Sequence, residues 1–411
     1  MSDFNITVPG GESKKLKTGG KYCPADIVVT AEGGGFTPPE DEVLTPELVY
    51  QTTRPGDWLK MPTPTDYECY CLGQILPGLS GHFFVIVTFT GTCTIEFGTV
   101  DNGAFVAKES YTPTSGTGFY ATLAYNNYGD TLADGTRQYM ARIYGTGITE
   151  INFRQHSSGS YRHVNIVDIV SGINCTFTAG DFNNFKSGLR SLQYLRFVGN
   201  GTPCFISANF VGGCPLLKCV YFENEIPNVR SLGYANYAFF ECQSLMAVSG
   251  VAFSQIFDFT CAFYSTNIFS LRTSAKLTTL SNAFQYSRLA FFDAKSANTE
   301  NVTNMDSAFY ACTSLKSVTG LNISSLTGAN SMFYYCFSLA RLVFAGKTTP
   351  GGYTISLTDT ALDHDALVEM IASLPTATAA ATIAIAGVPG ASELTDAEIA
   401  VATAKNWTIT R

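Results

Sequence analysis

The residues that could do chemistry in this sequence are few and scattered. Its 411 residues include four histidines, at positions 82, 156, 163 and 364. Acid–base catalysis and metal binding both need such groups to converge on one point. His156 and His163 flank a loop rich in serine and glycine, and Asp363-His364-Asp365 has the pattern of a helix N-terminal cap. The histidines therefore predict no catalytic or metal site.

Paired carboxylates are the remaining route to catalysis. Two of them facing each other across about 5–10 Å can cleave a glycosidic bond. The candidate pairs are Glu223 with Glu225 and Asp293 with Asp306, and they do not recur at one position of the repeat described below. We therefore expect no enzymatic activity, and a polysaccharide depolymerase is the alternative from another functional class.

The cysteine and glycine patterns do not predict a cofactor or metal either. The twelve cysteines are spread thinly, with no CxxC pair. We expect most of them to be reduced, buried packing residues. Gly116-Thr-Gly118 and Gly145-Thr-Gly147 lack the downstream glycine of a phosphate-binding loop, so they predict hairpin turns.

Composition favours a folded chain that binds no nucleic acid. Hydrophobic residues make up 45% and charged residues 14%, which is enough to bury substantial cores. The net charge of −8 offers no basic surplus for phosphates, and we interpret the one basic run, Lys14, Lys15 and Lys17, as a solvated turn. No apolar run approaches the ~20 residues of a membrane span, and the start resembles no signal peptide. We therefore expect that the chain is made in the cytoplasm and does not insert into a membrane.

The strongest pattern is a repeat in the C-terminal half. Its best copies are residues 237–245 (YAFFECQSL), 307–315 (SAFYACTSL) and 331–339 (SMFYYCFSL). One phenylalanine anchors each copy, and successive anchors are 29, 24, 21, 25 and 24 residues apart. A period near two dozen residues predicts a solenoid whose repeats each add one parallel strand after the leucine. The anchors are Phe210, Phe239, Phe263, Phe284, Phe309 and Phe333.

Tyrosines follow these anchors by one or two residues and provide the candidate binding face. In register along the solenoid they would form a ladder that stacks on sugars or contacts a partner protein. The alternative is that most of these rings pack between repeats. The tyrosines are Tyr264, Tyr286, Tyr310, Tyr334 and Tyr335.

Turn signals and strand-like runs divide the rest of the chain, and the predicted fold class is mainly β and multi-domain. Gly33-Gly34-Gly35 and Pro38-Pro39 mark a linker, and short alternating runs such as 83–90 favour a jelly-roll-like β-sandwich. A helical stripe near 367–374 and a capping box at Thr395 predict an α/β cap. The predicted units are a small N-terminal β element at 1–35, a linker at 36–42, a β-sandwich at 43–175, a leucine-rich-repeat solenoid at 176–345 and a C-terminal cap at 346–411.

Several segments resemble known families. Residues 308–318 (AFYACTSLKSV) resemble the BspA-like leucine-rich repeat, which is common on bacterial surfaces and in phages of gut bacteria, and the segments at 362–374 and 394–407 are similar to the usual ending of such chains. Residues 6–11 with 19–30, and 53–62, resemble segments of virion proteins from Firmicutes phages and prophages.

The resemblance implies a virion protein that is extracellular once assembled. It would be of the tail-fibre or receptor-binding type, attaching the particle to a host-surface glycan or protein through its repeats and to other virion proteins through its N-terminal region. A capsid-attached head fibre or decoration protein is the alternative. The family provides no catalytic residues. Because fibres are symmetric and multivalent, we expect a homotrimer.

Overall fold

A computed structural model describes most of the chain and confirms a mainly β protein. Residues 150–410 contain a β-solenoid of about eight turns, and helices are few. The repeat period therefore predicted the right kind of architecture. The residues described are 4–7, 13–16, 45–124, 127–128, 131–153, 165–173, 175–178, 189–198, 210–223, 237–248, 258–268 and 277–411.

The regular elements are numbered in chain order. The strands before the solenoid repeats are β1 (Phe4–Thr7), β2 (Ser13–Leu16), β3 (Glu68–Ile75), β4 (Gly81–Phe89), β5 (Cys93–Asp101), β6 (Ala104–Tyr111), β7 (Gly118–Leu123), β8 (Arg137–Gly145), β9 (Ile148–Asn152), β10 (Ile166–Ser171) and β11 (Thr176–Thr178). The later strands are β12 (Tyr194–Phe197), β13 (Cys219–Phe222), β14 (Ala247–Val248), β15 (Phe291–Asp293), β16 (Ser317–Asn322), β17 (Arg341–Ala345), β18 (Thr348–Thr349), β19 (Thr354–Ser356), β20 (Thr376–Ala377), β21 (Ala381–Ala384) and β22 (Trp407–Thr410). The helices are α1 (Pro46–Thr53), α2 (Ala294–Ala297), α3 (His364–Ser373) and α4 (Asp396–Thr403), with a short 3-10 helix at Pro389–Ser392.

The N-terminal strands β1 and β2 pair in antiparallel fashion. The sequence predicted a small β element at 1–35, and these two strands are the part of it that lies within the described residues. Lys14 and Lys15 lie in β2, so their interpretation as part of a solvated turn is wrong. The strand pairs Ile6 with Lys14 and Asn5 with Lys15.

Two sheets pack against each other, and the larger of them includes the strands of the first repeats. One has the order β14-β13-β12-β10-β3-β8-β5-β6 and the other β11-β9-β4-β7. Phe83 of β4 meets Phe97 of β5 with ring centroids 5.1 Å apart, and both side chains are fully buried. Alternation along β4 places Phe83, Val85 and Val87 in this core.

Both sheets continue directly into the solenoid. Strand β10 pairs antiparallel with β3 on one side and parallel with β12 on the other. Parallel pairing then runs from β12 through β13 to β14, while β11 pairs parallel with β9. In the larger sheet, the first solenoid strand therefore covers the edge that β10 would otherwise expose.

Helix α1 lies on the outer face of the larger sheet. Thr45 caps it, because its hydroxyl accepts a hydrogen bond from the Leu48 N–H at 3.2 Å, and Pro46 occupies the first turn. Val49 of α1 and the following Trp58 and Met61 are buried in a second apolar cluster on this face. Segment 45–61 thus spans strands on both sides of the junction between sheet and solenoid.

From Phe239 to Phe333, each repeat turns at its anchoring phenylalanine with two residues in the left-handed region. Their φ angles lie between 52° and 61°. The residues two before the anchor are Tyr237, Cys261, Asn282, Ser307 and Ser331, and those two after it are Glu241, Ser265, Tyr286, Ala311 and Tyr335.

The backbone N–H groups of this turn donate hydrogen bonds either to the next repeat or within their own repeat. The N–H groups of Ser307, Phe309 and Ala311 donate to carbonyls of the next repeat at 2.8, 3.0 and 2.8 Å. The intervening N–H groups of Ala308 and Tyr310 close hydrogen bonds within the repeat at 3.0 and 3.1 Å. Alternate residues therefore join neighbouring repeats, and buried N–H groups keep partners.

A glycine at a left-handed position should stabilise the solenoid. Ala311 has a φ of 55°, which costs an L-residue about 1–2 kcal/mol. After the added flexibility of the unfolded chain is subtracted, Ala311→Gly should raise the free energy of unfolding by about 1 kcal/mol. The measurement is urea unfolding followed by circular dichroism. Ala308→Gly, at a fully buried position without a positive φ, is the matched control and should lower stability by about 1 kcal/mol or more.

Parallel pairing continues to the C-terminus through β19, β21 and β22. The predicted helix near 363–374 is confirmed as α3, whose N-cap Asp363 accepts from the Ala366 N–H at 2.9 Å. The capping box is also confirmed, because the Thr395 hydroxyl and the Glu398 carboxylate each accept from the other residue's backbone.

Candidate binding surface on the solenoid

The six anchoring phenylalanines form one column inside the solenoid. All six are fully buried, and neighbouring ring centroids from Phe210 to Phe333 are 5.1 to 6.0 Å apart. From Phe263 to Phe333 the stacked rings lie within 6° of parallel. This column fixes the register of the repeats and therefore of the side chains outside it.

Thiols form a second column, three residues after the anchor in three repeats (Cys242, Cys312 and Cys336) and four residues after Phe210 in the first (Cys214). The Cys312 thiol donates to the Phe284 carbonyl at 2.9 Å, and the Cys336 thiol donates to the Phe309 carbonyl at 3.0 Å. In the repeats anchored on Phe263 and Phe284, Thr266 and Ser287 take this position and are buried. Burial raises the pKa of Cys312 to about 12, so its thiol stays protonated at neutral pH.

All ten cysteines in the described part of the chain are buried and outside any disulfide. A buried thiol with a raised pKa is a poor nucleophile. The column therefore serves packing and backbone satisfaction.

The predicted tyrosines form a third column, on the outside of the solenoid. Tyr264 meets Tyr286 at 5.4 Å between ring centroids, and Tyr286 meets Tyr310 at 5.6 Å. Tyr310 in turn lies 5.5 Å from Tyr334 and 5.8 Å from Tyr335. The structure thus brings all five predicted residues together, one or two per repeat.

Three further rings extend this column beyond the predicted set. Phe240 stacks on Tyr264 at 4.7 Å and touches Tyr237 at 5.6 Å, while Phe337 lies 5.6 Å from Tyr335. Phe240 follows its anchor by one residue, as Tyr264 does, so the repeat alignment could have identified it. We call the whole set the aromatic ladder: Tyr237, Phe240, Tyr264, Tyr286, Tyr310, Tyr334, Tyr335 and Phe337.

The aromatic ladder is packed along its length yet open to solvent. Tyr286 is 48% exposed and Phe337 57%, while Tyr334 and Tyr335 are each 38% exposed. Tyr264 and Tyr310 are half-buried. The rings therefore contact one another, as the packing alternative supposed, and still present a surface to a ligand. Neighbour contacts restrict their rotamers, so binding them costs little further conformational entropy.

The phenol groups of Tyr264, Tyr310 and Tyr334 are neutral at neutral pH. Burial raises the pKa of Tyr264 and of Tyr310, and a hydrogen bond with Tyr335 raises the pKa of Tyr334. A carboxylate lies near each end, since Glu241 acts on Tyr264 and Asp359 on Tyr334. The ladder combines hydroxyl donors and acceptors with a negative potential.

A second polar group, buried beneath α1, was not predicted from the sequence. Asp168 is fully buried, and its Oδ2 accepts from Arg54 Nε at 2.8 Å and from the Tyr50 hydroxyl at 3.1 Å. Burial raises the pKa of Asp168, although the guanidinium groups of Arg196 and Arg54 oppose this shift. Because α1 covers this cluster of Asp168, Arg54 and Tyr50, we interpret the cluster as a structural link between the antiparallel strands and the solenoid.

The structure describes only part of the catalytic candidates from the sequence. His156, His163 and Glu225 lie outside the described residues. His364 Nδ1 lies 3.1 Å from Asp365 Oδ1 at the start of α3, and the Asp306 carboxylate accepts the Asn330 N–H at 2.7 Å. Within the described ranges, no group of three or more His, Cys, Asp or Glu residues could hold a metal ion. In the same ranges no helix is long and apolar enough to span a membrane.

Comparison of the chain with protein-family models, with curated proteins and with solved structures gives no match.

Proposed function

We propose that this chain is a phage virion protein of the tail-fibre or receptor-binding type, and that its aromatic ladder contacts a glycan or protein on the host surface. The observation that carries the proposal is the unbroken row of ring contacts from Tyr237 to Phe337, in which every ring except the buried Phe240 is half-buried or exposed. Tyrosine supplies contact area with few rotatable bonds and a polar tip, which suits recognition surfaces.

The other parts of the chain fit a particle-attached role. In this proposal residues 1–35 dock on other virion proteins and 36–42 form the linker. Residues 43–175 form a jelly-roll-like sandwich, and 346–411 cap the repeat solenoid. The protein is a homotrimer, so that several ladders act together and weak contacts combine into firm attachment. It is made in the host cytoplasm and is extracellular in the virion.

The proposed role is binding without catalysis. Among the described candidates, the Asp306 carboxylate already accepts a backbone hydrogen bond, and the buried thiol of Cys312 is protonated. The depolymerase alternative predicts new reducing ends when the protein is incubated with host polysaccharide. We expect none.

Immunogold labelling of particles released by the strain that encodes the chain tests the virion assignment. Antibody against the full-length protein should place gold at the tail. Gold on the capsid would instead identify a head fibre or decoration protein. Purified particles without label would contradict a virion role.

A further inference from the structure

The C-terminal end of the ladder carries three of its rings, Tyr334, Tyr335 and Phe337, in one repeat. Tyr310, Tyr334, Tyr335 and Phe337, here called the terminal cluster, contact one another within 4.0 to 5.8 Å between centroids. Their planes are inclined to each other by 32° to 72°. Three of the four rings are more than one-third exposed. The cluster is therefore a compact group of accessible rings without a common plane.

That geometry favours a rounded ligand group over a flat one. A pyranose ring stacks on a single aromatic face, and several inclined rings cannot form one platform for it. A compact cation, by contrast, is attracted to any ring face over which it lies, because the ring quadrupole makes that face negative.

The charge near the terminal cluster has the sign that a cation requires. The Asp359 carboxylate accepts the Tyr335 N–H at 3.3 Å and raises the pKa of Tyr334. The chain as a whole carries a net charge of −8. Within the described ranges, the cation–π contacts belong to Arg54, Lys108, Arg142, Arg196 and Lys218, none of which lies on a ring of this cluster.

We propose that the terminal cluster binds a quaternary ammonium group, with Asp359 as counter-charge. A primary ammonium needs hydrogen-bond acceptors for its three N–H groups, whereas a trimethylammonium group has none to satisfy and suits aromatic cages. This inference rests on the proposed function and names the chemistry of the receptor. The group is carried on a host surface polymer, because the ladder continues from the cluster through Tyr286 to Tyr264 and offers an elongated path for a chain.

Titration of the full-length protein with choline, observed by ligand NMR, tests the proposal. Binding should saturate at millimolar concentrations. The neutral isostere 3,3-dimethyl-1-butanol should bind at least about tenfold more weakly, since it has the same shape without the charge. Tyr334→Leu and Phe337→Leu should each weaken choline binding about tenfold, and Asp359→Asn should weaken it several-fold. Tyr67→Leu, at a tyrosine 63% exposed in the two-sheet part, is the control and should leave binding unchanged.

Equal binding of choline and its neutral isostere, or no saturable choline binding at all, would overturn the inference. If the protein sedimented with phosphatidylcholine vesicles, the quaternary ammonium group that it binds would belong to a lipid and not to a surface polymer. A protein that binds host cells but not choline would refute only this inference and leave the proposed function intact. Choline binding without any binding to host cells would refute the proposed function instead.

Discussion

Replacing Phe309 with alanine should lower the free energy of unfolding of the solenoid by about 4 kcal/mol. Phe309 is fully buried and stacks between Phe284 and Phe333, with centroids 5.6 and 5.5 Å away. Its removal leaves a cavity that the hydrogen-bonded turns on either side cannot close. Urea unfolding followed by circular dichroism gives the loss directly.

The position of the damage is a second readout of the same change. In a solenoid each repeat contacts only its neighbours, so the interface on both sides of Phe309 should weaken first. Hydrogen exchange should therefore accelerate at the N–H groups of Phe284 and Phe309, which bridge adjacent repeats. Tyr310→Ala, at the adjacent half-buried ring, is the control and should cost less than about 2 kcal/mol. If both variants lost the same small amount of stability, the phenylalanine column would not be the core of the repeats.

Replacing Arg54 with methionine should lower the free energy of unfolding by about 3 kcal/mol. The Arg54 and Asp168 side chains are only 12% and 0% exposed, so the change leaves the carboxylate without its nearest counter-charge in a buried position. Thermal or urea unfolding at neutral pH measures the loss.

The pH dependence of that loss has a definite sign. Burial already raises the pKa of Asp168, and removing Arg54 should raise it further. A raised folded-state pKa gives stability below the unfolded value of about 3.9 and loses it as the pH rises through the folded pKa. The deficit of Arg54→Met should therefore be smallest at acidic pH and grow toward neutrality.

Arg341→Met is the matched control for charge and side-chain size. Arg341 holds Glu369 in two hydrogen bonds of 3.0 and 2.7 Å, but these side chains are 35% and 43% exposed. Water screens such a pair, so its loss should cost no more than about 1 kcal/mol. Equal costs for the two arginines would show that the cluster under α1 is not a link between the sheets and the solenoid.

The parts of the fold that repeat were readable from the sequence because the same local pattern recurs. The spacing of Phe239, Phe309 and Phe333 predicts stacked turns. Parallel strands do follow the leucine that recurs in each copy of the repeat, as in β16 and β17. Helix α3 was readable from its apolar stripe and its cap at Asp363.

Other features depend on contacts between distant residues and left little local signal. Helix α1 starts at Thr45-Pro46, which is a recognisable cap and first turn. The contact that follows it, between Arg54 and Asp168, joins residues 114 positions apart and has no signal in the local sequence. Likewise, the parallel pairing of β10 with β12 comes from tertiary packing and cannot be read from either strand alone.

The ladder was partly predictable. The sequence predicted the five tyrosines from Tyr264 to Tyr335, because a residue one or two positions after the anchoring phenylalanine lies on the same side of each repeat. The predicted set left out Phe240, although it follows its anchor by one residue, and it left out Tyr237 and Phe337, which precede or follow their anchors by a different number of residues. Ring inclinations and the approach of Asp359 depend on left-handed turns such as the one at Tyr335, where side-chain directions depart from the usual pattern.

Binding of fluorescently labelled full-length protein to host cells tests the central claim most directly. The variant combines Tyr286→Ser, Tyr334→Ser and Phe337→Ser, and its control combines Tyr67→Ser, Leu76→Ser and Leu79→Ser, three similarly exposed apolar side chains in the two-sheet part. The account predicts that the ladder variant loses at least about tenfold in cell binding while the control stays within about twofold of the unmodified protein. Unchanged binding by a folded ladder variant would contradict it.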